Sequence, residues 1–289
     1  MSLDLLPEDC FAHILSLTSP RDACRLSLVS LAVQSVADSD AVWEKFLPSD
    51  YEEILSRLVW KVVYSSKKEL FFRLCNIPHL IDGGRKSFSL EKSTSKKSYM
   101  LSARELSITW AGNPLYWSWK PLLQSRFPEV AELRTISWLE IRGKINTRMI
   151  SPKTIYGAYL IVKFVDRAYG LDSSPSEVSL EVGDVVKSQG TVYLRCKENK
   201  NKQCLERMYF LNRIEALRSR VYRGRERKER VVREREDGWF EIELGSFYNV
   251  GGGDDNNDNK EVRMCLKEVK GEHLKGGLIV EGIEIRPQN

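Results

Sequence analysis

The segment from residue 110 to residue 119 contains three tryptophans whose rings could bind a sugar. Trp110, Trp117 and Trp119 flank the turn-forming sequence Gly112-Asn113-Pro114. Aromatic rings suit sugars because the C–H-rich face of a pyranose packs on the ring while its hydroxyls contact polar neighbours. The alternative is core packing, since Trp117 and Trp119 share one face of an alternating segment and most tryptophans are largely buried. Sugar binding by Trp117 therefore requires that its ring be partly exposed.

The sequence offers little basis for catalysis. Its three histidines, His13, His79 and His273, lie outside any recognisable Ser/His/Asp or Cys/His arrangement, and the motifs H-E-x-x-H and G-x-S-x-G do not occur. The run Gly83-Gly84-Arg85-Lys86-Ser87 fails the phosphate-loop spacing because an arginine separates the glycine from the lysine. We therefore assign no catalytic residue and expect no intrinsic enzymatic activity.

Metal and disulfide sites are not expected either. The six cysteines are scattered along the chain, without a Cys-x-x-Cys pair or a histidine at zinc-ligand spacing. Asp254, Asn256 and Asp258 alternate like calcium ligands, but the turn glycine and the closing glutamate of a calcium loop are missing. The sequence predicts free thiols in a reducing compartment, with no metal and no cofactor.

Residues 213–237 hold ten basic and six acidic side chains. Such a stretch could be a nuclear-import signal or a nucleic-acid patch. It could also be a solvated helix or loop, because Glu226 and Arg230, like Glu229 and Arg233, are spaced for ion pairs on a helix. Interleaved acids weaken phosphate binding, so the solvated segment is the favoured interpretation and nucleic acid is not an expected partner.

The elements that would position these residues fall into two classes, of which the first is helical. Residues 1–50 show helical periodicity, with apolar residues at i, i+3 and i+4. A first helix is predicted from Pro7, a second after the capping residue Ser19, and a third from Ser39 to a stop at Pro48. Three short helices cannot enclose much core alone, so we expect a partner surface on this module.

Residues 51–98 are predicted to form a helical connector and a linker. Amphipathic helical patterns occupy residues 51–63 and 67–75, and residues 83–97 are rich in glycine, serine and lysine. This composition is typical of a flexible connection between domains. The domain boundary is therefore placed in this connector, and the second domain is assigned to residues 99–289.

From residue 99 the period of the apolar residues changes to two. Seven segments are predicted to be strands: residues 138–142, 155–164, 177–182, 191–196, 239–244, 261–266 and 277–286. Helical periods are absent between most of them, which favours an antiparallel β-sandwich over an α/β fold. The chain is thus predicted to be a multidomain α + all-β protein: a three-helix module, a helical connector and a sandwich.

Residues 3–48 resemble an F-box of the plant type. They read LDLLPEDCFAHILSLTSPRDACRLSLVSLAVQSVADSDAVWEKFLP, and the matching motifs are Leu6-Pro7, Ile14-Leu15, Val29-Ser30 and Trp43. The resemblance implies that these residues dock on a Skp-type adaptor, which joins a cullin scaffold and a ubiquitin-conjugating enzyme.

Most of residues 99–287 resembles the phloem protein 2 (Nictaba-like) lectin family. The similarity is carried by the segments ARELSITWAGNPLYWSWKPL, EVAELRTISWLEIRGKI, DGWFEIELGSFYN and GGLIVEGIEIRP. The resemblance implies a jelly-roll-like sandwich that binds chito-oligosaccharides or N-glycan cores. That family places a binding tryptophan in the first of these segments. Trp117 is in register with it, and Trp110 and Trp119 are further candidates.

Together the two resemblances imply the substrate-recognition subunit of an SCF-type ubiquitin ligase. The F-box would bind the adaptor and through it a cullin, while the sandwich would bind N-acetylglucosamine oligomers or N-glycan cores on target glycoproteins. Two alternatives stay open: a sandwich that reads a protein surface without sugar, and a nucleic-acid-binding or nuclear protein that uses residues 213–237. Without a secretory signal or an apolar run of about 18 residues, we expect a cytoplasmic and nuclear protein without membrane insertion.

Overall fold

The computed structural model describes residues 7–194, 228–251, 259–271 and 273–288. Helices occupy the first part of the described chain and strands the remainder, as predicted. The helices are α1 (Glu8–Ser16), α2 (Pro20–Leu26), α3 (Leu31–Ala37), α4 (Asp40–Phe46), α5 (Tyr51–Ser56) and α6 (Lys67–Asn76).

The second predicted helix is in fact two helices. The apolar pattern continues past residue 26, but α2 ends at Leu26 and α3 begins at Leu31. Ser30 causes the break, because its backbone is extended and its Oγ accepts a hydrogen bond from the backbone N–H of Val33 at 3.2 Å. A serine in this position satisfies a free N–H at the start of a helix. The predicted three-helix F-box therefore contains four helices, α1 to α4.

Trp43 of α4 organises the core of the helical part. It is fully buried, and its indole Nε1 donates a hydrogen bond to the carbonyl oxygen of Ala37 at 2.7 Å. The centroid of its ring lies 5.4 Å from that of Phe46 and 5.2 Å from that of Phe71 in α6. Short helices depend on tertiary packing of this kind for their stability, so α6 and the F-box helices share one core.

The strands form two sheets. The nine-stranded first sheet contains β1 (His79–Ile81), β2 (Lys86–Leu90), β3 (Lys97–Ser102), β5 (Trp117–Lys120), β6 (Val130–Leu133), β8 (Thr154–Tyr169), β12 (Arg233–Glu234), β13 (Phe240–Asn249) and β15 (Gly276–Pro287). The six-stranded second sheet contains β4 (Ser107–Ile108), β7 (Leu139–Asn146), β9 (Ser176–Val182), β10 (Val185–Val192), β11 (Lys228–Arg230) and β14 (Glu261–Glu268).

The two sheets pack against each other around an apolar core. The strand order is β1-β2-β3-β15-β8-β13-β12 in the first sheet, with β6 beside β15 and β5 beside β6, and β11-β10-β9-β14-β7-β4 in the second. Leu160 and Ile242 of the first sheet share one buried cluster with Leu180 and Met264 of the second. All described strand pairs are antiparallel except β10 with β11. The predicted antiparallel β-sandwich is confirmed, and the repeated crossing of the chain between the sheets from β7 to β15 agrees with jelly-roll-like connectivity.

The predicted linker at residues 83–97 is wrong. Strand β2 lies within it and pairs with β3, which in turn pairs with β15 of the sandwich. Phe88 and Leu90 are buried, while Lys86, Ser87 and Ser89 of the same strand hide this pattern in the composition. The connector is also less helical than predicted, because α5 ends at Ser56. Of the seven predicted strands, six are confirmed. The one placed at residues 191–196 overlaps the end of β10, which stops at Val192, and residues 195 and 196 lie outside the described residues.

Two ion pairs join the helical part to the sandwich. The Lys97 ammonium lies 2.8 and 3.0 Å from the two carboxylate oxygens of Asp50. The Arg57 guanidinium donates two hydrogen bonds of 2.9 Å to the carboxylate of Asp82. These bonds from Arg57 lower the pKa of Asp82 to about 2, because they favour the charged form of the carboxyl group.

Candidate functional site

Five large apolar side chains of the F-box helices and their connecting turns are exposed. They form what we call the leucine surface, which consists of Ile14, Leu17, Leu28, Val29 and Leu31. Leu28 and Leu31 are 85% and 84% exposed. Burial of a leucine side chain contributes about 1.5–3 kcal/mol, so five such side chains in water represent a large unused stabilisation. Exposed apolar groups concentrated in one module mark an interaction site.

The predicted adaptor-binding residues divide between this surface and the interior. Ile14 and Val29 belong to the leucine surface, and Pro7 is exposed at the start of α1. Ser30 is exposed as well, but its hydroxyl oxygen is occupied as the cap of α3. Leu6 lies outside the described residues.

Leu15 and Trp43 were expected to contact the adaptor directly, and the structure corrects this. Both side chains are fully buried in the helical core. A side chain without accessible surface contacts no partner, so these two residues position the surface by holding α1 and α4 together. Their spacing in the motif reflects the core of the module rather than its surface.

Sequence reasoning missed Leu17, Leu28 and Leu31. Each lies at the end of a helix or in a turn, outside the i, i+3, i+4 stripes that predict the buried faces. The signal was present in the composition, because the segments LSLTSP and LSLVSL carry more leucines than the predicted helix faces can bury. If the buried helix faces are assigned first, these three leucines remain without a place in the core, and that excess would have identified them as exposed.

Trp117 does not meet the requirement for stacking on a sugar. Its side chain is 1% exposed in β5, and its Nε1 donates a hydrogen bond to the carbonyl oxygen of Thr109 at 3.0 Å. β5 pairs with β6, so the ring lies in the main core instead of facing solvent. The interpretation of Trp117 as a sugar-stacking residue is therefore corrected to core packing.

Trp119 is partly buried and is also occupied by neighbours. Its Nε1 donates a hydrogen bond to the carbonyl oxygen of Ala111 at 3.1 Å. The guanidinium carbon of Arg104 lies 3.7 Å from the centroid of its ring, and Arg104 is itself held by Glu129 at 2.7 Å. A cation over the ring blocks that face for a sugar. Trp119 therefore fixes the segment without offering an open aromatic face there.

Trp110 has the exposure that a binding ring needs. It is 50% exposed, and its backbone has a φ of 58°, in the left-handed region. The ring of Tyr116 lies 5.1 Å away between centroids, at an interplanar angle of 34°. The two rings form a small aromatic platform, which we call the Trp110–Tyr116 pair. Strained backbone of this kind is concentrated at functional sites.

The turn between the two rings is fixed by hydrogen bonds. The backbone N–H of Asn113 donates to the carbonyl oxygen of Trp110 at 2.9 Å, and the Oδ1 of Asn113 accepts from the N–H of Leu115 at 2.9 Å. The N–H groups of Tyr116 and Trp117 both donate to the carbonyl oxygen of Asn113. The Trp110–Tyr116 pair is therefore preorganised, which reduces the entropy that a ligand would lose on binding.

The described residues of the charged stretch 213–237 form ion pairs and short strands within the two sheets. Arg230 lies 3.3 Å from the carboxylate of Glu243, and Arg235 lies 2.7 Å from that of Glu284. Residues 228–230 and 233–234 are strands β11 and β12, so the predicted helical spacing does not apply to them. Residues 213–227 lie outside the described residues, and the import interpretation stays a prediction.

The described residues carry no arrangement suited to nucleophilic or metal chemistry. Burial raises the pKa of the Cys75 thiol to about 12 and also raises the pKa values of Cys24 and Cys265. A thiol is nucleophilic as the thiolate, so these side chains stay inert. In the described ranges no group of three or more potential ligands could hold a metal ion, and no helix is long and apolar enough to cross a membrane.

Comparison with known proteins agrees with both halves of this architecture. A family profile described as phloem protein 2 matches residues 96–287, and an F-box-like profile matches residues 3–49. The chain is 49% identical over 285 residues to F-box protein PP2-B15 of Arabidopsis thaliana, with 98% of this chain and 96% of that protein covered. It is 47% identical to F-box protein PP2-B13 (98% and 98% covered) and to F-box protein VBF (98% and 99% covered) from the same plant.

The fold and the leucine surface define a modular class of protein, in which an F-box is joined to a two-sheet β domain. The chain belongs to the phloem protein 2 family, in which its relatives are F-box proteins that share both regions. This combination supports a substrate-recognition role, and no catalytic family is indicated.

Proposed function

We propose that the chain is the substrate-recognition subunit of an SCF-type ubiquitin ligase, and that the leucine surface docks on a Skp-type adaptor. The observation that carries the proposal is the exposure of Leu28 and Leu31 together with that of the F-box motif residues Ile14 and Val29. The adaptor would connect the chain to a cullin. The sandwich would then hold its target close to the site of ubiquitin transfer, which raises the effective concentration of the target there.

Replacement of both leucines by aspartate tests the adaptor proposal. Leu31 is the first residue of α3, where a negative charge interacts favourably with the helix dipole, so L28D/L31D should fold normally. Loss of two leucines that the adaptor would bury should weaken the affinity for a Skp-type adaptor by about 100-fold or more, since burial of each contributes roughly 1.5–3 kcal/mol. Isothermal titration of the purified full chain with the adaptor measures the effect.

The matched control replaces two exposed leucines of the sandwich. Leu115 and Leu123 are both exposed, and they lie outside the F-box. The variant L115D/L123D should bind the adaptor as the unmodified chain does. Unchanged adaptor binding by L28D/L31D, with the same circular dichroism as the unmodified chain, would refute docking through the leucine surface.

We further propose that the Trp110–Tyr116 pair binds N-acetylglucosamine oligomers or N-glycan cores on target glycoproteins. Support comes from the half-exposed indole of Trp110, from the adjoining ring of Tyr116 and from the hydrogen-bonded turn that fixes both. A pyranose ring would pack on the indole face, and polar groups of the turn would contact its hydroxyls. The sugar-binding role thus moves from Trp117 to Trp110.

A second candidate function of the sandwich is recognition of a protein surface without any sugar. The exposed Leu115 favours it, because an aliphatic side chain beside two aromatic rings suits a peptide as well as a sugar. The candidates differ in their ligand and agree on the ligase role. A cytoplasmic and nuclear location is proposed with both, and the four free thiols among the described residues are compatible with a reducing compartment.

One variant and one control separate these candidates. Trp110→Ala should abolish binding of the full chain to immobilised N-acetylglucosamine oligomers and leave its melting temperature nearly unchanged. Trp60→Ala removes an indole of the helical part that is even more exposed, and it should leave glycan binding intact. If the unmodified chain binds no glycan on an array, the lectin proposal fails and the protein-surface interpretation replaces it.

A further inference from the structure

A polar cavity lies where the F-box helices meet the sandwich. Its volume is about 370 Å³, within the range of pockets that hold small molecules. Residues 16, 18–20 and 45–50 line it from the helical part, and residues 93–97 and 151–152 line it from the sandwich. We call it the junction cavity. None of its lining residues belongs to the leucine surface or to the Trp110–Tyr116 pair.

The charge of the junction cavity is positive. Three lysines and a single carboxylate line it. The carboxylate, Asp50, is held by Lys97 at 2.8 Å. No ion pair joins Lys45 or Lys96 to a carboxylate in the part of the chain that the structure describes, so neither ammonium group has an ion-pair partner there. Hydroxyl groups make up most of the remaining polar lining, among them those of Ser49 and Ser95.

Ser95 supplies a second observation. Its Oγ is buried and has no hydrogen-bond partner among the described residues. Buried hydroxyls are nearly always paired, so this one has an unused donor and acceptor at the wall of the cavity. Its backbone also has a φ of 62°, in the left-handed region that a serine rarely adopts. The β2–β3 turn holds this conformation through the backbone hydrogen bond from the N–H of Ser95 to the carbonyl oxygen of Glu91.

We propose that the junction cavity binds a small molecule that carries phosphate groups. Phosphate oxygens accept hydrogen bonds from ammonium and hydroxyl groups, and the two unpaired ammonium groups of Lys45 and Lys96 would neutralise its charge. Lys45 belongs to α4, and Lys96 to the β2–β3 turn. A ligand held by both would bridge the adaptor-binding and target-binding parts of the chain and fix their relative orientation.

Pyrophosphate is a suitable probe for this site. At equal ionic strength, millimolar pyrophosphate should raise the melting temperature of the full chain relative to chloride, because a ligand that binds only the folded state stabilises it. K45Q/K96Q should lose this shift, and titration calorimetry should give an affinity at least tenfold weaker. Hydrogen exchange of the unmodified chain should slow in residues 91–97 when pyrophosphate is present.

Lys92→Gln is the matched control, because Lys92 lies in the same turn but does not line the junction cavity. It should keep the full pyrophosphate shift, and both variants should melt normally in chloride. The proposal is overturned if pyrophosphate does not bind the unmodified chain, or if K45Q/K96Q and K92Q bind it equally well. Binding of a phosphoserine peptide in place of pyrophosphate would also overturn it, in favour of a phosphorylated protein partner.

Discussion

The sandwich buries most of its large apolar side chains, whereas the F-box leaves several of them exposed. In the sandwich the two sheets cover each other, and Leu160, Leu180 and Met264 lie in one shared core. In the F-box, Trp43 is buried while Leu28 and Leu31 of the adjoining turn and helix remain in water. A two-sheet domain supplies both layers of its own core, whereas a few short helices supply one layer and part of another. The F-box thus leaves large apolar side chains in water, whereas the two sheets of the sandwich enclose theirs.

The interactions between the helical part and the sandwich differ from those within either region. Both regions are stabilised mainly by apolar burial. The joint combines apolar packing, in which Phe71 of α6 shares a buried cluster with Phe88 of β2, with the ion pairs Lys97–Asp50 and Arg57–Asp82. Partly exposed ion pairs contribute less than apolar cores and respond to pH and salt. The comparison therefore predicts large mutational effects within the sandwich, small ones on the leucine surface of the free chain, and pH-dependent ones at the joint.

The largest effect is expected for Trp117→Ala in the sandwich. Removing this buried indole should lower the free energy of unfolding by about 3–5 kcal/mol, whereas Trp110→Ala at an exposed site should cost under about 1 kcal/mol. Urea unfolding of the full chain, followed by circular dichroism, measures both. Equal losses of unfolding free energy for the two variants would contradict the assignment of Trp117 to the core and of Trp110 to the surface.

A slightly smaller effect is expected for Lys275→Met. Lys275 and Glu268 form an ion pair in which each side chain is only 3% exposed, and the Lys275 ammonium also donates to the carbonyl oxygen of Ser137 at 2.6 Å. Removing one partner leaves a buried charge unpaired and should cost about 3 kcal/mol. The double variant K275M/E268Q should recover part of this loss in the same urea experiment. No recovery would show that the methionine itself is the cause of the destabilisation.

The leucine surface should affect association rather than stability. Without an adaptor, the free chain should self-associate through these exposed side chains, and L28D/L31D should weaken that association at least tenfold. Its unfolding free energy should stay within about 0.5 kcal/mol of the unmodified chain. Sedimentation velocity at several concentrations provides the measurement, with L115D/L123D as the control. A strong loss of stability would mean that the two leucines belong to the core after all.

A modest, pH-dependent effect is expected at the joint, for Asp82→Asn. Asp82 has a φ of 54°, which asparagine tolerates, so the loss of the ion pair with Arg57 should dominate and cost about 1 kcal/mol at pH 7. The folded-state pKa of about 2 lies below the ordinary 3.8. The stabilisation is therefore complete above pH 4 and is lost as the pH falls from about 4 to about 2. Urea unfolding between pH 2 and pH 7 should show that the variant lacks this part of the acid dependence.

The sequence by itself determined the order and type of the elements. In the described part of the chain helices come first and strands follow from residue 79. The sequence predicts this order because periods of 3.6 and 2 are local properties that need no tertiary information. The F-box motif was readable for the same reason, and so was the cap at Ser19, whose Oγ accepts from the N–H of Asp22 at 3.1 Å. Short strands such as β2 were missed because five residues with serine and lysine carry too little pattern.

Only the tertiary structure decided which residues of each pattern reach solvent. Trp110, Trp117 and Trp119 have the same side chain within ten positions, yet pairing of β5 with β6 buries Trp117 and leaves Trp110 outside the strands. The junction cavity is a stronger case, because Lys45 and Lys96 are fifty-one positions apart and meet only when the F-box helices pack beside the β2–β3 turn. Exposure and shared sites depend on contacts between distant segments, and local periodicity does not carry that information.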